Sequence, residues 1–396
     1  MSGFPPPRGC GLPGMRLALD AGSVRAVIDA ALLVPGHELA TLALDHVRCP
    51  SADEAVAGWR VTTRGAHGCR ESWVTARVAP GWRVMRERER LAAREQPAFG
   101  GLCGVTSDPD DSVLFVACPI DRVLRELHRV LRRTRGELVA YRPEQRAVLR
   151  TDSAWVQVRA VPLAEAEYHA TVLAAQVGLG STIPHAAIGD RVVHEAPLRG
   201  EPFRGEPGAA RALGSALARW HGLAEDPRHA DASLRLPRES ALDELDASLR
   251  ACHALAVLDP GLGERAFAIA ERLAGLVPAR SRVVLRHGAL TCARIRVLDG
   301  KVAVRGFLRS SRGPASRDLA TLRVDLALSG IDPIRGSEAV LDGYGSSPTS
   351  AELRWFEANA ALQSTCAAFE RARVDWPQRA TQVLQLAADA ASAIAS

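Results

Sequence analysis

The residues best able to do chemistry lie in the segment 283–309, which contains His287, Cys292 and several arginines. A cysteine that follows a histidine by five residues would suit a Cys–His nucleophile pair, and Arg286 and Arg294 would lower the pKa of its thiol. An inert loop cysteine is the commoner case. The sequence has no G-x-S-x-G nucleophile elbow, no Walker A loop and no G-x-G-x-x-G after a strand.

Arginines dominate the charge of this segment. They are Arg286, Arg294, Arg296, Arg305 and Arg309. Guanidinium groups bind carboxylates and phosphates in a two-pronged geometry. Because side chains alternate along strands, we expect roughly half of the five to face a common cleft. The anion-binding candidates are Arg286, Arg294 and Arg305, and the predicted ligands are an anionic small molecule, an acidic peptide or a partner protein.

Composition excludes several classes of function. The 396 residues carry a net charge of +5, and no basic block is longer than 131–135, so nucleic-acid binding is not predicted. No apolar run approaches about 18 residues, and no membrane span is predicted. The eight cysteines form no CxxC pair and no zinc spacing, which indicates reduced thiols in a cytoplasmic protein without a bound metal. The preference for arginine over lysine, with many alanines, indicates a bacterial genome.

Strand patterns come first along the chain, and helix patterns follow. Residues 1–14 are predicted to be disordered, 15–35 to form a helical stretch, and 86–94 a helix or linker. Alternating apolar residues predict strands at 46–80, 113–118, 137–141, 146–150, 155–161 and 192–196, with helices at about 122–131 and 163–177. From residue 205 onward the pattern is mostly helical, interrupted by a hairpin at 283–307. This order predicts an α+β fold.

The order of elements and several motifs resemble the aminoglycoside phosphotransferase and choline-kinase-like family. The segment VVLRHGALTCARIRV (283–297) resembles its HGD-x-x-x-x-N catalytic loop, and KVAVRGFLRSSRGPASRDLATL (301–322) resembles its I-D-F metal-binding strand and following helix. LVAYRPEQRAVLR (138–150) resembles the first two strands of the family's N-lobe. GYGSSPTSAELRWFEANAAL (343–362) and RVDWPQRA (373–380) resemble its terminal helices. The resemblance covers about residues 112–385.

The resemblance implies a two-lobed, protein-kinase-like fold with an N-terminal extension. We expect a tail and short helix at 1–36, an α/β extension at 37–111, a β-rich N-lobe at 112–200 and a helical C-lobe at 201–396. A kinase of this build also holds ATP phosphates with a lysine on an N-lobe strand. Lys301, the only lysine of the chain, lies instead in a predicted turn after the catalytic loop.

The sequence departs from the family at the residues that do the chemistry. The catalytic base aligns with Ala289, whose methyl group accepts no proton. The two metal ligands align with Arg294 and Gly306, and the phosphate-binding lysine aligns with Gln157. Shifting the alignment by one or two residues restores nothing, because no acid occurs at 288–297 or 302–316. We therefore expect no bound metal and no required cofactor, although ATP binding without metal stays open.

The remaining motif residues are those of a scaffold. His287 and Gly288 keep the turn of the loop, and Asp318 either supports that loop, as in the family, or caps its own helix. Glu167 is either the acid that pairs with the family's lysine or, as we favour, a surface acid. Glu195 lies at the position of the hinge between the lobes, whose backbone reads adenine in the family.

Two functions remain open from the sequence. The first is a pseudokinase that acts as a binding or scaffold protein. The family's weakened members accompany some bacterial natural-product and peptide-modifying pathways, and that setting is an analogy only. The second is an active phosphotransferase whose catalytic acids have moved, with Asp190 and Asp325 as candidates. The sequence favours the first.

Overall fold

The computed structural model of this chain is an α+β protein with an N-terminal extension, a β-rich lobe and a helical lobe. It describes residues 4–94, 97–179, 183–229, 234–279, 281–345 and 348–394. We call residues 4–117 the extension. The strands and helices within residues 127–195 form the N-lobe, and the elements after them form the C-lobe. Within the described residues, no helix combines the length and apolar character that crossing a membrane requires.

The extension is built on a five-stranded antiparallel sheet of order β1-β2-β3-β5-β4. Its strands are β1 (Glu38–Ser51), β2 (Glu54–Gly65), β3 (Gly68–Val78), β4 (Val105–Ser107) and β5 (Val113–Ala117). The strands predicted at 46–80 are present, but β1 begins earlier because the alternation of its half-buried residues starts before residue 46. The boundary predicted at residue 112 falls between β4 and β5, which pair in this one sheet.

Three helices accompany this sheet: α1 (Met15–Leu19), α2 (Ala21–Ala31) and α3 (Gly81–Ala92). The predicted helical stretch 15–35 is divided at Asp20, whose carboxylate caps α2 by accepting a hydrogen bond from the Ser23 amide at 2.7 Å. The prediction that 1–14 is disordered is wrong for 4–14, while residues 1–3 lie outside the described residues. The Arg8 amide donates to the carbonyl of Leu258 at 2.7 Å, so this segment is held against the C-lobe.

The N-lobe sheet contains β6 (Glu137–Arg142), β7 (Arg146–Arg150), β8 (Trp155–Arg159) and β9 (Val192–Glu195) in sequential antiparallel order. Its apolar face packs Ala147, Leu149 and Val156 near α4 (Leu127–Arg133). Helix α5 (Glu165–Gln176) follows β8. Because strand side chains alternate, the opposite face carries the polar residues of these strands.

Helices form most of the C-lobe. They are α6 (Pro207–Gly222), α7 (Ala241–Leu258), α8 (Pro260–Ala274), α9 (Ser316–Leu328), α10 (Pro333–Tyr344), α11 (Ser350–Ser364), α12 (Ala367–Glu370) and α13 (Trp376–Ser392). Proline occupies the first turn of α6, α8 and α13, where its missing N–H costs no helical hydrogen bond. Ser240 and Asp243 form a capping box at the start of α7. Buried Trp220 and Trp355 lie in the resulting core.

The strands predicted within the helical half are present. They are β11 (Val283–Arg286), β12 (Ile295–Leu298), β13 (Lys301–Val304) and β14 (Ser311–Pro314), with the two-residue strand β10 (Glu201–Pro202) beside β12. Asp299 and Gly300 both have positive φ, the geometry of a type I′ turn, and they join β12 to β13. The segment 283–307 is therefore a set of short strands and loops.

Candidate functional site

The loop at His287–Gly288 is held by Asp318 on α9. The Asp318 carboxylate accepts hydrogen bonds from the amides of His287 at 2.7 Å and Gly288 at 2.9 Å. It forms no capping bond to its own helix. The sequence left two roles open for Asp318. In the structure Asp318 supports the loop and does not cap its own helix.

A buried histidine, His221, also contacts the Asp318 carboxylate. His221 Nε2 lies 3.3 Å from Asp318 Oδ2, and His221 Nδ1 lies 2.6 Å from the hydroxyl of Tyr344. Because Nε2 faces a carboxylate, it carries the proton, and Nδ1 accepts from the tyrosine. Burial raises the pKa of Asp318, but the hydrogen bonds from His221 Nε2 and from the His287 amide lower it to about 2. The acid under the loop is thus firmly ionised.

His287 is fixed as a neutral ring. Its Nδ1 accepts from the Ala289 amide at 3.3 Å, and its Nε2 donates to the Arg305 carbonyl at 3.1 Å. Burial lowers the pKa of His287 to about 4, which agrees with this tautomer. Gly288 has φ +77, and a Cβ at that position would lie 2.0 Å from the Arg309 carbonyl oxygen. The loop keeps its shape through residues that serve the backbone.

The positions that the resemblance aligns with the family's base and metal ligands hold no acid. Ala289 is half-buried at the end of the turn. Arg294 donates from Nη1 to the carbonyl of Gly306, and a Cβ on Gly306 would lie 2.7 Å from that nitrogen. The guanidinium therefore occupies the space that a side chain at 306 would need. No group of three or more metal-ligating side chains occurs within the described residues. These residues do not fit a divalent metal ion.

The N-lobe side of the site contains two neighbouring polar pairs. Gln157 donates to Glu195 Oε2 at 2.8 Å. Arg159, two residues further along β8, binds Glu167 of α5 through both guanidinium nitrogens, at 2.8 and 3.2 Å. The interpretation of Glu167 as a surface acid is wrong, because it is buried and paired. Burial, with the charge of Glu167, raises the pKa of Glu195.

Four arginines from both lobes lie close enough for their charges to interact, and we call them the arginine cluster: Arg146, Arg294, Arg305 and Arg309. Arg294 is half-buried, and the other three are exposed. Desolvation in the cleft, with the charges of Arg309 and Arg146, lowers the pKa of Arg294 to about 10. Desolvation, with Arg142 and Arg305, likewise lowers the pKa of Arg146. Among the described residues, none of the four has a carboxylate within the 4.0 Å of an ion pair. The cluster concentrates positive charge without a protein counter-ion.

Arg286 lies outside this cluster. Its guanidinium is 2% exposed and binds the carboxylates of Glu244 and Glu239 and the hydroxyl of Ser311. Arg317 binds the other oxygen of Glu244 at 2.8 Å. The N–H groups of Arg286, which we predicted to bind an anionic ligand, are therefore engaged by residues of the C-lobe. Arg286 has the geometry of a structural residue.

The alternative chemistries lack support in the geometry. Burial, followed by the charge of Asp325, raises the pKa of Cys292, which opposes the thiolate that a nucleophile needs. The predicted lowering by arginines is therefore wrong, because those guanidiniums point elsewhere. Asp325 also accepts from the Cys292 amide at 2.7 Å, and Asp190 accepts from the Ala187 amide at 2.9 Å. Both acids hold backbone turns.

Sequence reasoning missed Arg146 and Arg159. Arg159 shares a strand face with Gln157, since residues two apart in a strand point to the same side. Arg146 pairs directly with Arg159 across β7 and β8. Strand alternation together with hairpin register could have placed both arginines beside the predicted lysine position.

No family model matches the chain, and no curated protein matches it. Among solved structures, it is similar to a choline/ethanolamine kinase family protein from Mesorhizobium loti, with 16% identity, 65% of this chain and 88% of that chain covered, and a TM-score of 0.46. An ethanolamine kinase from Plasmodium vivax is 11% identical, with 66% of this chain and 83% of that chain covered and a TM-score of 0.48. An aminoglycoside phosphotransferase from Streptomyces rimosus is 18% identical, with 55% of this chain and 89% of that chain covered and a TM-score of 0.42. These proteins are kinases of the family that the sequence resembles.

Proposed function

We propose that the protein is a pseudokinase, a kinase-like protein that binds an anionic ligand in its cleft and transfers no phosphoryl group. One observation carries the proposal: the guanidinium of Arg294 fills the space beside Gly306 where the family's metal acid would project. Phosphoryl transfer depends on positioning and on neutralising charge, largely through metal ions. A fixed cation at this point supplies charge to a bound anion and opposes the metal.

The state of the loop supports the same proposal. Asp318, His287 and Gly288 keep the loop folded, yet Ala289 offers no base to an attacking hydroxyl. A loop whose scaffold persists without its reactive group suits a binding protein.

The alternative, an active phosphotransferase with relocated acids, finds little support. Asp190 and Asp325 are the candidates, and each carboxylate is engaged with a backbone amide. Glu195 lies nearer the arginine cluster, but its carboxylate accepts from Gln157. In each of the three, one carboxylate oxygen is already engaged in holding the fold.

The experiment combines an activity assay with a binding screen. Purified protein is incubated with ATP, Mg²⁺ and an aminoglycoside, choline or maltose, and we expect no phosphorylated product above the no-enzyme control. The variant Ala289→Asp should be equally inactive, because Arg294 and Gly306 still leave the phosphates without metal. A thermal-shift screen with sulfate, citrate and inorganic triphosphate should show stabilisation by at least one anion. ATP turnover on a defined acceptor that Asp325→Asn or Asp190→Asn abolishes would refute the proposal.

A further inference from the structure

The cleft conflicts with the metal that its fold family implies, and the conflict identifies a ligand class. A divalent metal at this place needs oxygen ligands, and the two aligned positions supply a guanidinium and a hydrogen atom. We infer that Arg294 takes the place of the metal ion, so that the arginine cluster binds an oligophosphate group free of divalent cations. This inference rests on the proposed function, because it names the ligand class of the same cleft.

Arg294 is held in one position by its backbone and by one bond of its side chain. Its carbonyl accepts from the Arg305 amide at 3.1 Å, and its own amide donates to Thr291 at 2.9 Å. Its Nη1 donates to the Gly306 carbonyl. Gly306 has φ +84, a conformation that favours glycine. The same residue therefore offers its carbonyl to Arg294 and, having no side chain, leaves space for the guanidinium. The other N–H groups of the guanidinium have no hydrogen-bond partner among the described residues and stay available to a ligand.

The charges around Arg294 favour an anion with several charges close together. Burial, followed by the charges of Arg309, Arg146 and Arg305, lowers the pKa of Arg294, and Glu167 acts in the opposite direction. Glu167 itself is neutralised by the two-pronged contact with Arg159. Arg294 is half-buried and the other three arginines are exposed. Like charges held this close repel one another, and a multivalent anion relieves that repulsion.

Phosphate chemistry fits this arrangement better than a peptide carboxylate does. Each phosphate group of a chain presents several acceptor oxygens, and the planar fork of arginine matches that geometry. Arg146 comes from β7 of the N-lobe, Arg294 from the turn before β12 of the C-lobe, and Arg305 and Arg309 from the segment after β13, so the charges converge from two lobes. A chain of adjacent phosphates meets guanidiniums on both sides at once.

A divalent cation should weaken this complex. Mg²⁺ neutralises part of the charge of the phosphate chain and brings its own positive charge next to Arg294. In an active kinase the metal bridges the phosphates to acidic side chains, and those side chains are absent here. Whether Mg²⁺ weakens or strengthens phosphate binding therefore distinguishes a site built on the Arg294 guanidinium from an ordinary metal-dependent nucleotide site.

The test is isothermal titration calorimetry of the full chain with inorganic triphosphate, in EDTA and in excess Mg²⁺. We expect binding in EDTA and at least tenfold weaker binding with Mg²⁺. The variant Arg294→Gln should lose at least tenfold in affinity in EDTA. The control Arg60→Gln removes an exposed arginine of β2 and should bind as the wild type does. ATP is titrated in parallel, and tighter binding of ATP than of triphosphate would identify a nucleotide as the source of the phosphates.

The outcomes separate the inference from the proposed function. Tighter binding with Mg²⁺, or unchanged affinity in Arg294→Gln, overturns the inference. Stabilisation by citrate or sulfate without any triphosphate binding overturns the inference and leaves the proposed function standing. Failure of every anion to bind overturns both. Should Arg294→Gln not fold, Arg309→Gln removes a neighbouring guanidinium of the cluster and should also weaken binding, with unchanged affinity counting against the inference.

Discussion

Two groups of arginines in this chain have opposite surroundings. At the junction of the extension and the N-lobe, Arg48, Arg77 and Arg122 all bind the carboxylate of Glu144. Arg77 also pairs with Glu54. In the arginine cluster of the cleft, the described residues provide no ion-paired carboxylate to any of the four guanidiniums. The same residue type is thus satisfied in one place and left without a counter-ion in the other.

This difference fits a structural use of arginine at the junction and the binding use that we propose for the cleft. Taking a charge out of water is costly, and partners within the fold must compensate for that cost. At the junction the acids do so, and the turn between β6 and β7 is fixed to the extension: Pro143 Cδ would lie 3.1 Å from a Cβ at Gly58. In the cleft, water surrounds the exposed arginines Arg146, Arg305 and Arg309, and the proposed anion would supply the counter-charge.

The junction should be the more sensitive of the two regions. Replacing Glu144 by Gln leaves Arg77, Arg48 and Arg122 facing one another without their acid, and removing one partner of a buried ion pair costs about 3–5 kcal/mol. We expect Glu144→Gln to reduce the free energy of unfolding, measured by urea denaturation, by an amount in that range. Glu144 is 8% exposed, so water offers little compensation.

A matched control lies on the same hairpin. Glu137 of β6 pairs with Arg150 of β7, but both side chains are mostly exposed. Exposed ion pairs contribute about 0–1 kcal/mol. Glu137→Gln should therefore change the unfolding free energy by no more than about 1 kcal/mol. Equal losses in the two variants would show that the junction is not a buried ionic network.

Acid pH should weaken the regions around both groups, because each contains a buried histidine. Burial, followed by the charge of Arg142, lowers the pKa of His46 near the junction to about 4. Burial does the same for His287 under the cleft. The unfolded chain takes up these protons near pH 6.5, before the folded protein does. The stability contributed by each neutral ring is complete above that pH and is lost as the pH falls toward 4.

Urea denaturation at pH 7.5 and pH 5 measures this loss. Between those values each histidine should lower the unfolding free energy by about 2 kcal/mol. The variant His46→Gln should show a pH-dependent loss smaller by about that amount. His67→Gln, at the exposed turn between β2 and β3, should leave the pH dependence unchanged. An identical pH dependence in wild type and His46→Gln would contradict the assignment.

Local patterns were enough to predict much of the fold. Alternation identified β2, β3 and the strands of the N-lobe, and the Asp299–Gly300 dipeptide marked the turn between β12 and β13. The absence of acids at Ala289 and Gly306 was also visible, because it depends on residue identity alone. The weaker alternation of β1 hid its true start at Glu38.

Partners distant in sequence could not be predicted in the same way. Arg286 binds Glu244, which is 42 residues away, and no local pattern links them. The pairing of Glu167 with Arg159 depends on how α5 packs against β8. The N-terminal segment looked disordered because its prolines and glycines form no periodic element, yet Trp376 donates to the Pro5 carbonyl at 3.0 Å. Tertiary packing decided each of these cases.

The smallest expected effect concerns two arginines of one strand, Arg146 and Arg150. Replacing them should change the unfolding free energy in opposite directions. Arg146 of β7 lies directly opposite Arg142 and Arg159 on the neighbouring strands, whereas Arg150 pairs with Glu137. Like charges directly opposite in a sheet destabilise it, on a scale of roughly 0.2–1 kcal/mol. Without ligand, Arg146→Gln should leave the unfolding free energy unchanged or raise it by up to about that amount, and Arg150→Gln should lower it slightly. The gain should shrink as salt is raised from 0.02 M to 0.5 M, since salt screens repulsion between exposed charges. A loss of stability in Arg146→Gln comparable to that in Glu144→Gln would mean that the cleft arginines are structural, and the distinction between the two groups would fail.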